Sequence, residues 1–118
     1  MTPSVLIVDD SEAVRITLEA IFEDRGFDVI GVESLADARL QLSRRFDAVL
    51  VDLHLPDGSG TSLVREVRAR YPTSIVIILS GDAGLDPACA DIVAVKSGDP
   101  DDLAVQVERL IVRAVPQA

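Results

Sequence analysis

Five side chains in this sequence could do chemistry together: Asp9, Asp10, Asp52, Ser80 and Lys96. Each stands at the end of a short apolar run. Val5-Leu6-Ile7-Val8 leads into Asp9-Asp10, Ala48-Val49-Leu50-Val51 into Asp52, Ile75-Val76-Ile77-Ile78-Leu79 into Ser80, and Ile92-Val93-Ala94-Val95 into Lys96. Three carboxylates a few ångström apart repel one another and call for a cation. An acidic cluster of oxygen ligands suits Mg2+, which keeps several waters and takes one or two carboxylates plus a phosphate. A carboxylate can also attack phosphorus and become an aspartyl phosphate, with Mg2+ neutralising the equatorial oxygens during in-line transfer. Ser80 offers a hydroxyl donor to a phosphoryl oxygen. Lys96 offers a compact point charge, and it is the single Lys among eleven basic residues. Asp is a common turn residue, so Asp52 alone carries little. The weight lies in the combination.

Strands and helices in alternation must position these groups. A continuous apolar run suits a strand buried on both faces. Between the runs, helical spacing appears in Val14, Leu18, Ile21 and Phe22, stopped by Gly26. It recurs in Leu35, Ala38 and Leu42 behind a Ser34 cap, with Arg44 and Arg45 expected in the last turn of that helix. Leu63, Val64 and Val67 mark a third helix closed by Tyr71-Pro72, and Leu103, Val107, Leu110 and Ile111 a last one opened by Asp99-Pro100. Val29 to Val32 supplies one more strand. The alternation predicts an α/β fold: a doubly wound, five-stranded parallel sheet with helices on both faces. The order 2-1-3-4-5 is favoured, because it sets the carboxyl ends of strands 1 and 3 side by side, where ligands bind in such sheets.

Composition agrees. A chain of 118 residues, 48% hydrophobic and 26% charged, suits one globular domain with an aliphatic core, since aromatics are only 3%. The domain is expected over 1–114, with 115–118 as a tail or the start of a linker. A net charge of −9 repels phosphate backbones and anionic membranes, so no direct nucleic-acid or membrane binding is expected. The single Cys89 excludes an internal disulfide and fits a cytoplasmic, reducing setting. No secretory signal is visible, and the longest unbroken apolar run, Ile75 to Leu79, is far short of the ~18 residues that span a bilayer.

These motifs carry a resemblance. Val-Asp-Asp at 8–10, Val-Asp-Leu-His-Leu-Pro-Asp-Gly-Ser-Gly at 51–60, Ile-Leu-Ser-Gly at 78–81 and Val-Lys at 95–96 resemble the receiver domains (CheY-like, flavodoxin-like in fold) of bacterial two-component response regulators. Members share the order 2-1-3-4-5, so the order is not independent of the resemblance. The resemblance implies that Asp52 accepts a phosphoryl group from a histidine kinase or phosphotransfer protein. It implies that Asp10 binds Mg2+ directly, that Asp9 acts through water or by orienting the cluster, and that the backbone carbonyl of His54 completes the metal site. Ser80 would bond the phosphoryl group, and Lys96 would pair with it. A downstream protein or output domain would read the result, and a homodimer is allowed.

Three departures stand out. Ser97 follows Lys96 where the family has Pro, so the loop there is expected to differ and Lys96 to be less tightly placed. Val93 stands where the family carries an aromatic switch residue. The stretch 81–90 leaves room for only a shortened or missing fourth helix, and the switch is expected to act on loops 53–60 and 81–90. Two alternatives remain: a receiver-like interaction module not controlled by phosphorylation, and a small Asp-nucleophile phosphohydrolase. The second resembles an Asp-x-Asp motif on a first strand, whereas Asp9 and Asp10 are adjacent.

Overall fold

The computed structural model describes residues 2–81 and 90–114, the side chains of 113 and 114 excepted. The expectations for a shortened fourth helix, for Cys89 and for the tail therefore lie outside the described residues. Eleven elements follow in order. They are β1 (Ser4–Val8), α1 (Glu12–Asp24), β2 (Asp28–Val32), α2 (Leu35–Gln41), β3 (Ala48–Asp52), β4 (His54–Leu55), β5 (Gly58–Ser59), α3 (Gly60–Arg70), β6 (Ile75–Ser80), β7 (Ile92–Val95) and α4 (Pro100–Ala114). The five long strands form one parallel sheet in the order β2-β1-β3-β6-β7. This is the expected 2-1-3-4-5 arrangement, renumbered because β4 and β5 form a small antiparallel ladder inside the loop after β3. Among the described residues no helix is long and apolar enough to cross a membrane.

The period of two along each strand divides the core. Leu6, Val8, Val49, Val51, Val76 and Ile78 pack with Leu35, Ala38, Leu42, Leu63, Val64 and Val67 of the α2–α3 side. Val5, Ile7, Ala48, Leu50, Ile75, Ile77 and Leu79 pack with Leu18, Phe22, Leu103, Ala104 and Val107 of the α1–α4 side. Both faces are covered, so the strands read as unbroken apolar runs rather than alternations.

Helix ends follow their local chemistry. Ser11 caps α1, taking the Val14 N–H at 3.4 Å. The other end is a Schellman turn on Gly26 at φ +88°, with Gly26 N–H to Glu23 O at 2.9 Å and Phe27 N–H to Phe22 O at 3.0 Å. Phe22 and Phe27 meet edge to face across it, ring centroids 4.9 Å apart. One expectation fails. Helix α2 stops at Gln41, capped by Leu42, so Arg44 and Arg45 are not in its last turn. Tertiary partners hold them instead. Arg44 lies over the Phe46 ring at 4.4 Å, and Arg45 bonds Asp47 at 2.9 Å and Thr73 at 3.1 Å.

Candidate functional site

Asp9 follows Val5 and Ile7 in the alternation of its strand, Asp52 follows Ala48 and Leu50, and Lys96 follows Ile92 and Ala94. All three therefore fall on the α1–α4 side of the sheet, at its carboxyl edge. Asp9 is fully buried, Asp52 nearly so, and Asp10 is exposed. One carboxylate oxygen from each of Asp9, Asp10 and Asp52 lies within 4.8 Å of the others. The Lys96 ammonium sits 2.8 Å from Asp52 Oδ2 and 3.2 Å from Asp9 Oδ2. The latter oxygen is near the charge but has no hydrogen bond of good geometry, an orphaned buried acceptor facing the cluster. Oxygen donors only, one buried acceptor left over and an exposed third acid fit a hard divalent cation.

Lys96 is better placed than Ser97 led us to expect. Its N–H bonds Ser80 O at 2.8 Å, Gly98 N–H closes a turn onto Val95 O at 2.9 Å, and two acids draw the ammonium inward. The described chain has no cis peptide bond, so the step from Lys96 to Ser97 is trans.

The buried pair is electrostatically unequal. Burial pushes the Asp9 carboxyl above the ordinary carboxylate value, and the Asp52 charge adds to it. The Ser11 N–H and Lys96 only partly oppose this. At Lys96 burial works the other way, but the hydrogen bond to Asp52 and the charges of Asp9 and Asp52 outweigh it and hold the pKa above the usual lysine value. A carboxyl raised on folding stabilises the fold below its unfolded pKa of 3.8, and that contribution is lost as pH rises through the folded value. Ionised Asp9 is therefore a liability at neutral pH without a cation. Asp9→Asn should stabilise the metal-free protein at neutral pH. The gain should vanish below the unfolded carboxyl pKa, where Asp9 is already neutral. Urea unfolding at the two pH values checks this, and an equal gain at both would contradict it.

The loop after β3 is shaped around the acid. His54 N–H donates to Asp52 Oδ1 at 3.2 Å, a contact the sequence did not announce. Gly60 N–H bonds Leu53 O at 2.8 Å, and a Cβ on Gly60 would stand 2.3 Å from Asp52 O. Only glycine lets α3 begin that close to the acid-bearing strand. Asp57, which shares this loop, is not part of the cluster. Its carboxylate reaches α2 and takes the Leu35 and Ala36 N–H groups, each at 3.0 Å, while Ser34 takes that of Asp37 at 3.1 Å. Those backbone donors hold the Asp57 pKa below the usual carboxylate value. Ser80 is buried at the end of β6, whose neighbours in the sheet are the strands that carry Asp52 and Lys96.

The family model of the response regulator receiver domain matches residues 5–99. The chain belongs to this family. It is 32% identical to the transcriptional regulatory protein AruR of Pseudomonas aeruginosa over 96% of this chain. It spans 51% of that regulator's length and 23% of the next, PilR of the same organism. A CheY-like receiver structure from Methanospirillum hungatei matches at TM-score 0.89 and 25% identity, covering 97% of both chains. Response regulator TrrA of Thermotoga maritima, solved in complex with Mg(2+)-BeF, matches at TM-score 0.83 and 26% identity, covering 92% of this chain and 99% of that one. These residues thus form a signalling receiver domain with an acidic pocket. Within this receiver Val93 pairs with Ile78 and packs partly buried on the α2–α3 side.

Proposed function

We propose that this receiver domain accepts a phosphoryl group on Asp52 in a Mg2+-dependent reaction and thereby changes what it binds. The observation that carries the reading is Lys96 bridging Asp52 and Asp9 beside a three-acid cluster. Asp9, Asp10 and Asp52 would hold the cation, with the backbone carbonyl of His54. When bound, the cation neutralises charge on the transferring phosphoryl group. The chain's own groups do the rest. Asp52 is the nucleophile, His54 N–H and Lys96 hold its oxygens, and Ser80 hydroxyl donates to the phosphoryl group once it is there. Lys96 then follows the charge from carboxylate to phosphate. The domain catalyses only its own phosphorylation and dephosphorylation.

The donor is a histidine kinase or phosphotransfer protein in the cytoplasm. The receiver domain occupies 1–114. Relatives about twice as long support a downstream output. A net charge of −9 leaves nucleic acid to that output. Val93 is branched and stiff, with no polar tip, so the switch runs through the 53–60 loop rather than an aromatic rotamer. Amide shifts recorded on adding beryllofluoride with and without Mg2+ test this. A saturable, Mg2+-dependent change centred on 53–60 is expected. No uptake with Mg2+ present would leave an interaction module, and changes centred on Val93 with 53–60 unmoved would refute the proposed route.

A further inference from the structure

We propose that Arg15 is a positioning residue for the Asp9–Asp10 pair and sets its affinity for Mg2+, with Glu19 and Gly31 holding Arg15 in place. The inference rests on the function proposed above. Arg15 lies on α1. Its Nη1 donates to the main-chain carbonyl of Asp9 at 2.9 Å. Two more polar groups of Asp9 are held: its N–H bonds Val32 O at 3.1 Å, and its Oδ1 takes the Ser11 N–H at 2.9 Å. Arg15 therefore completes the restraint on the peptide that joins the two acids. Asp10 is exposed, so no core packing fixes its carboxylate, and its placement depends on that peptide.

Arg15 is itself held. Its Nε lies 3.5 Å from Glu19 Oε1, one turn further along α1, and its side chain is only 17% exposed. Glu19 lies over Gly31 of β2. A Cβ there would stand 2.1 Å from Glu19 Oε1 and 3.2 Å from Arg15 Cδ. The missing side chain at 31 makes room for the pair. An exposed i,i+4 ion pair contributes little and would need no such space. Groups that orient metal ligands from behind typically change metal affinity by roughly 10–100-fold when removed.

The test uses wild type, Arg15→Ala, Arg15→Lys and Gly31→Ala. Mg2+ is titrated by amide shifts, and labelling by acetyl phosphate is followed as a function of Mg2+. Arg15→Ala should raise the Mg2+ needed for half-saturation by about 10-fold or more, with the rate at saturating Mg2+ within about twofold of wild type. Arg15→Lys, keeping one donor but not the fork, should recover part of the loss. Gly31→Ala displaces only the far end of Glu19 and should shift half-saturation the same way by less. If Arg15→Ala does not fold, Gly31→Ala decides. Unchanged half-saturation in a folded variant overturns the inference, as does a lowered maximal rate at unchanged half-saturation. A wild-type protein that binds no Mg2+ would instead sink the proposed function itself.

Discussion

Asp52→Asn is expected to take no phosphoryl group from acetyl phosphate and Mg2+, where wild type takes one, labile to hydroxylamine. A carboxylate oxygen is the nucleophile, and an amide offers no equivalent lone pair of comparable basicity. The variant should still fold. Its one carbonyl oxygen can keep either the His54 N–H or the Lys96 ammonium, and Lys96 retains Asp9 at 3.2 Å. Facing an amide N–H to one of those donors leaves it unpaired, at a cost of about 1–3 kcal/mol. That is within the margin of an ordinary domain. The thermal transition should therefore survive while labelling falls to background. Equal labelling of the Asn variant would place the phosphoacceptor elsewhere.

The largest effect on stability should come from Lys96. Lys96→Ala leaves buried Asp52 and Asp9 facing each other with no cation between them. Removing one partner of a buried charge set costs about 3–5 kcal/mol, and the low end applies because the Lys96 side chain is 27% exposed and partly screened. Mg2+ should restore part of that loss by binding the folded acids. Lys96→Arg should keep the charge and the fold, yet answer phosphorylation poorly, because a planar fork on a longer stem does not replace a compact ammonium between two carboxylates. Urea unfolding with and without Mg2+, beside the shift response to beryllofluoride, reads both. An unfolding free energy for Lys96→Ala equal to wild type, or a full response from Lys96→Arg, would show that the bridge is dispensable.

The two predictions concern one arrangement, and they separate its roles. Asp52 supplies the reacting oxygen, so its loss is chemical first, with the smaller cost in stability. Lys96 balances the buried charge of the acids, so its loss is felt first by the fold. Asp9 is opposite to both: burial holds its carboxyl above the usual value, and the site keeps that charge in place for a cation at the expense of stability.

The strands, most helix bounds and the acids at the strand ends were legible from the residues alone. Apolar runs of four or five residues, helical spacing and cap residues are local signals, and each acts within one element. Ala48–Asp52 and Ile75–Ser80 are the strands the runs predicted, and Pro100 opens the last helix as its type requires. Contacts between elements far apart in the chain leave no such local signal. Asp57 caps a helix that begins 22 residues earlier, Arg15 fastens the Asp9 carbonyl, and Glu19 needs a bare Gly31 on the neighbouring strand. The early end of α2 and the fate of Arg44 and Arg45 belong here too, because Phe46, Asp47 and Thr73 hold those side chains rather than the helix dipole. Lys96 shows the division most plainly. Its position at a strand end was legible, but its reach to both acids was not. That reach depends on strand register and on which face of the sheet each side chain takes, and neither leaves a period in the sequence around Lys96 itself.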